Sequence, residues 1–95
     1  MQADEDTKAM VLHKMMKHRL WGGKHTELRN LKKGFDPRIY KEVDRAISTL
    51  TKERFIITAI KTKEIHVSLN PRKYNEIIEL VEKYFNIKIL VPRKP

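Results

Sequence analysis

A chain of 95 residues, 40% hydrophobic and 35% charged, is expected to form one soluble domain around a single core. It is too apolar for disorder, and no stretch nears the roughly 20 apolar residues a membrane span requires. The lack of cysteine excludes disulfides and thiolate metal sites, and the net charge of +9 favours a polyanionic partner over a basic or neutral one.

The charge is uneven. Asp4, Glu5 and Asp6 make the start acidic, whereas residues 8–33 hold eight bases against one acid, Glu27. Such a density attracts phosphate, because each neutralised phosphate releases condensed counterions. The alternative is a Lys- and Glu-rich surface of ion-pair networks, as in proteins from hot environments. An acidic opening without an apolar run and cleavage site is unlike a secretory leader, so a cytoplasmic location is expected. Residues 1–6 are expected to be disordered, 7–91 to form the domain, and 92–95 to fray.

In chain order, the first helix is expected over Thr7–Leu20. Ala9, Leu12, Met15, Met16 and Leu20 fall on one stripe, and Gly22 and Gly23 supply the stop. Trp21 is expected to pack at the rim of the core, with base stacking as its alternative role. Thr26 reads as the N-cap of a short helix, Glu27–Lys33, whose inward residues are Leu28 and Leu31. Gly34 ends it. Asp36-Pro37 is a cap followed by proline at the first helical position, and it opens a longer helix to about Glu53. The inward set there is Ile39, Val43, Ala46, Ile47 and Leu50.

From Phe55 the pattern becomes that of strands. FIITAI and IHVSL are β-branched and apolar, and they flank Lys61-Thr62-Lys63-Glu64 in a hairpin. Alternation sends Ile65, Val67 and Leu69 to one face and His66 and Ser68 to the other. Residues near Lys24 and His25 are candidates for a short third strand. Asn70-Pro71 repeats the cap-then-proline signal and opens a last helix to about Phe85. Its apolar arc of roughly 160° is wider than one core-facing stripe needs. The Ile87–Val91 run, IKILV, reads as a strand or an arm.

Opposite Val43 and Leu50 the long helix shows Lys41, Arg45, Ser48 and Lys52, flanked by Arg38 and Asp44. Arg38, Lys41 and Arg45 stand in its first turns, where a recognition helix reaches base edges, and arginine pairs bidentately with guanine. Arg29, Lys32 and Lys33 on the short helix suit phosphate contacts. Lys61 and Lys63 would sit over a neighbouring phosphate run, or else protect a strand edge from pairing. A solvated face is the alternative for each base taken singly. The histidines His13, His18, His25 and His66 have no metal-ligand spacing, and no phosphate loop or nucleophile elbow occurs. No catalytic residues, cofactor or metal are expected, and no enzyme activity.

The run GKHTELRNLKKGFDPRIYKEVDRAISTLTKERFIITAIKTKEIHVSLNP resembles the winged helix-turn-helix domains common among small archaeal DNA-binding proteins and transcription regulators. LRNLKKGFDP matches the helix-turn, DPRIYKEVDRAISTL the recognition helix, and FIITAIKTKEIHVSLNP the wing. The resemblance covers about half the chain. It implies an α+β fold with a three-helix core, a two- or three-stranded antiparallel wing sheet and, here, an added C-terminal helix. It also implies double-stranded DNA as partner, a helix over about 37–53 in the major groove, and a basic wing at 61–64. The wing departs from the usual pattern in being short and without glycine at its tip. Surplus apolar surface on the last helix and the IKILV run lead to an expected homodimer, with no membrane partner. The rival expectation is a winged-helix adaptor that binds protein in a replication, transcription or RNA-processing assembly.

Overall fold

The computed structural model describes residues 4–86. Four α-helices, α1 (Glu5–Lys17), α2 (Leu28–Lys33), α3 (Tyr40–Lys52) and α4 (Tyr74–Phe85), surround a sheet of three antiparallel strands. The strands are β1 (Thr26–Glu27), β2 (Ile56–Lys61) and β3 (Glu64–Leu69), in the spatial order β1-β3-β2. The order of elements is the expected one, and the fold is α+β. The IKILV run and residues 92–95 lie outside the described residues.

Helix α1 starts at Glu5, two residues before the expected Thr7, and stops at Lys17 rather than Leu20. Gly22 and Gly23 are not its terminator. Arg19 takes the left-handed conformation (φ 56°) instead, while its N–H donates to Met16 O and that of Leu20 to Met15 O. These two crossed bonds satisfy the last carbonyls, and buried Leu20 supplies the apolar contact that such an ending favours. Gly22 (φ 57°) has a different task. Its N–H donates to Leu69 O, and a Cβ there would come within 3.2 Å of the Pro71 ring.

Thr26 does not cap α2. It pairs with Val67 as the first residue of β1, and Glu27 precedes the helix without a side-chain cap bond. The third strand therefore forms two residues beyond Lys24 and His25, where backbone pairing with β3 outcompetes a local hydroxyl cap. Asp36 does cap, accepting from the Arg38 N–H at 2.9 Å, and Pro37–Ile39 make a turn of 3-10 helix before α3. Asn70 does the same for Arg72 before α4, at 3.0 Å, and its side-chain amide also donates to Arg54 O at 2.8 Å. That second bond fastens the end of α3 to the start of α4.

The core forms where α1, α3 and α4 meet the inner face of the sheet. Leu12 and Met15, Val43 and Leu50, Ile56, Val67 and Leu69, and Ile77 and Val81 are all fully or almost fully buried. Ile77, Ile78 and Val81 are absorbed within the chain, so the wide apolar arc of α4 is largely explained by packing in one molecule. Trp21 packs on Tyr74, ring centroids 5.1 Å apart. Lys8 is buried with its ammonium on Glu53, the C-cap of α3 (2.8 Å), and Glu5 (3.2 Å). The mostly polar side of α1 thus carries a cross-helix ion pair.

Candidate nucleic-acid interface

Because Val43, Ala46, Ile47 and Leu50 turn one side of α3 into the core, the side opposite is set by the 3.6-residue period. Lys41, Asp44, Arg45, Ser48 and Lys52 are exposed along it, and Arg38 is exposed in the preceding 3-10 turn. The rest of the described chain leaves this ridge uncovered.

The ten bases and hydroxyls expected to form the site divide into two groups. Arg38 is clasped by the Asp36 carboxylate, Nη2 to Oδ2 at 2.7 Å and Nε to both oxygens at 3.1 Å. The Arg38 side chain, followed by its backbone N–H, holds Asp36 below the usual carboxylate range, and Asp36 in turn raises Arg38. Lys32 is paired with Asp44 at 2.8 Å, with its ammonium over the Tyr40 ring. Arg29 bonds Glu27 at 3.0 Å and Glu64 at 3.2 Å, and these partners, Glu27 first, raise its pKa. Among the described residues no ion pair engages Lys33, Lys41, Arg45, Lys52, Lys61 or Lys63, and all six are exposed, as is Ser48.

The hairpin turns tightly. Lys61 pairs with Glu64, and Thr62 and Lys63 between them both have positive φ, 52° and 68°. That is the geometry whose twist matches a two-residue hairpin, achieved here without glycine or asparagine. An ion pair tethers its tip. The Arg29–Glu64 pair ties it to α2.

Between α3 and the hairpin runs a groove of about 640 Å³ that sequence reasoning missed. Leu28, Ile47, Thr51, Thr58, Ile60 and Ile65 line it, with Asp44, Ser48 and Lys52 at its rim. Ile65 shares a face with Val67 and Leu69, as alternation requires, yet it is 46% exposed and its partner Ile60 is 78% exposed. The hairpin overruns the helices that cover its inner face. Alternation was legible in the sequence, but how far the covering helices extend was not.

A second feature also escaped the sequence. His25 and His66, 41 positions apart, meet Nδ1 to Nδ1 at 2.8 Å, which joins the chain before β1 to β3. One ring must be neutral and accept from the other. Among the described residues there is no group of three or more potential metal ligands, and no helix is long and apolar enough to cross a membrane.

The chain was compared with protein-family models, with curated proteins and with solved structures, and no match was found in any of the three.

Proposed function

We propose that this chain is a winged helix-turn-helix that binds double-stranded DNA as a transcription regulator, with α3 in the major groove and the β2–β3 hairpin as a basic wing. The observation that carries the reading is the exposed ridge of Lys41, Arg45 and Lys52 on the outer side of α3, free of carboxylate partners among the described residues. Lys33, Lys61 and Lys63 add free cations on α2 and at the hairpin end. Arg45 and Lys41 read base edges. Ser48 and Lys52 lie further along and reach phosphate, as do the lysines of α2 and the wing. Arg38 joins them after giving up Asp36, and Arg29 and Lys32 serve mainly to hold α2, α3 and the hairpin in register.

A salt titration against duplex DNA tests this. Log affinity should fall with log salt at a slope of order −4 to −6, for about five to seven neutralised phosphates. Lys41→Glu with Arg45→Glu should weaken binding by at least about tenfold, and Lys32→Gln by far less. Equal effects from the two changes, or a flat salt dependence, would remove the ridge from the interface.

Dimerisation through α4 has less surface to draw on than the sequence implied. Ile77, Ile78 and Val81 are buried within the chain, and Phe85 is the exposed large apolar residue on the described part of that helix. Binding of protein rather than DNA is favoured by one specific observation, the apolar groove beside the ridge.

A further inference from the structure

Strand β2 is the longer of the two edge strands of the sheet, and its hydrogen-bonding pattern follows from the register. Leu69, opposite Ile56, donates to Leu20 O and accepts from Gly22 N–H, so its backbone groups point away from β2. Bonded and non-bonded pairs alternate in an antiparallel ladder. Ile57, Ala59 and Lys61 therefore bond to Ser68, His66 and Glu64, and the N–H and C=O groups of Thr58 and Ile60 face outward. Among the described residues no backbone or side-chain bond outside the sheet takes them. Sheets usually guard such an edge with lysine, proline or a bulge. Ile56–Ile60 has none of the three, and the strand's single lysine, Lys61, stands at the hairpin end beyond Thr58 and Ile60.

Three further observations bear on what pairs there. Ile57 is 42% exposed and Ile60 78%, so apolar side chains are offered on both faces of the edge. The groove of about 640 Å³ lies alongside, with Ile47, Thr51, Ile60 and Ile65 as its walls. Asp44 at the groove is already engaged by Lys32, and Glu64 at the hairpin end by Arg29, whereas Lys52, Lys61 and Lys63 around the edge are not engaged. The uncompensated charge is positive. A second copy of this chain would bring another +9 and the same lysines to the same edge. Charge complementarity selects an acidic partner.

We propose that the β2 edge and the adjoining groove bind an extended acidic segment of another protein as a fourth strand, its alternate apolar side chains filling the groove. This does not depend on DNA binding. It uses Thr58 and Ile60, which the DNA reading does not, although Lys52 borders both surfaces and the two ligands should compete.

The test uses the full chain, isotopically labelled, and an end-blocked peptide of about ten residues that alternates valine with glutamate. Saturable amide shifts are expected at Thr58, Ala59, Ile60 and Ile47 below about 1 mM peptide, with hydrogen exchange at Thr58 and Ile60 slowed about tenfold or more. Thr58→Pro deletes the outward N–H without breaking the β3 ladder, and Ile60→Thr keeps a strand-forming residue. Each should weaken the peptide about fivefold or more while leaving DNA affinity unchanged. Should Thr58→Pro unfold, Ile60→Thr alone decides, since its side chain is largely in solvent. A valine-lysine peptide should bind at least about tenfold more weakly. The proposal is overturned by equal binding of the two peptides, by shifts confined to the α3 ridge without protection at the edge, or by protection of those amides through self-association alone. Loss of DNA binding in Lys41→Glu/Arg45→Glu with peptide binding intact separates failure of one reading from failure of the other.

Discussion

At the scale of single residues, Asp36 links folding to recognition. Its carboxylate caps the turn before α3 and also holds Arg38, the arginine nearest the start of the ridge. Because the folded pKa is lowered, the stability it adds is present above the unfolded value of about 3.9 and is lost as pH falls through the folded one. Asp36→Asn keeps an oxygen for the cap and removes the negative charge that engages Arg38. Thermal stability should change by no more than about 2 °C, while DNA affinity measured by fluorescence anisotropy should rise about twofold to threefold. Unchanged affinity would mean that Arg38 does not reach the nucleic acid.

Lys8 behaves in the opposite sense. Burial works against its charge, but hydrogen bonds to Glu53 and Glu5 outweigh it and raise the pKa. Its contribution is complete below the unfolded lysine value of about 10.4 and disappears as pH rises through the higher folded value. Replacing both carboxylates, Glu5→Gln with Glu53→Gln, leaves a buried ammonium without a counter-charge. Since both acids are partly in solvent, the expected loss in chemical denaturation is about 1–2 kcal/mol. Lys8→Met, which removes the charge as well, should lie within about 1 kcal/mol of the parent.

At the scale of elements, the chain repeatedly makes left-handed turns with residues other than glycine. Arg19, Arg54 and Asn86 follow α1, α3 and α4, and Thr62 and Lys63 form the hairpin turn. After α3, Arg54 N–H donates to Thr51 O and Phe55 N–H to Leu50 O, the same crossed pair that ends α1. An L side chain in this conformation opposes its Cβ to the neighbouring carbonyl, and Thr62 is β-branched besides. Arg54→Gly and Lys63→Gly should therefore each stabilise by about 0.5–1 kcal/mol, read from denaturant midpoints at constant m. If Lys63→Gly gains stability while lowering DNA affinity, the Lys63 charge is there for its ligand and not for the turn.

At the scale of the whole molecule, ridge, groove and hairpin share one side, and their ligands should interfere. Saturating duplex DNA should reduce the apparent affinity for the acidic peptide, and raising salt should weaken both. Sedimentation at tens of micromolar decides the oligomer. A monomer would confine recognition to a single site, and a dimer insensitive to Phe85→Ser would have to assemble without the α4 face.

Much of this architecture was written locally. Asp36-Pro37 and Asn70-Pro71 start the helices they announce, because cap and proline act on adjacent residues, and FIITAI and IHVSL supply the two paired strands, which extend to Lys61 and Glu64 at the turn. The outer side of α3 was equally legible, since the helical period fixes what lies opposite Val43 and Leu50. Other features were settled by residues distant in sequence. Thr26 joined a strand because Val67 came to lie beside it, α1 stopped early because Leu20 was drawn into the core, and Arg29 and Lys32 met the carboxylates of Glu64 and Asp44. Propensity and periodicity act over a few residues and therefore determine elements and faces from the sequence alone. Which cations stay free and how much of a strand is left uncovered depend on the lengths and docking of those elements, and only the tertiary structure decides them.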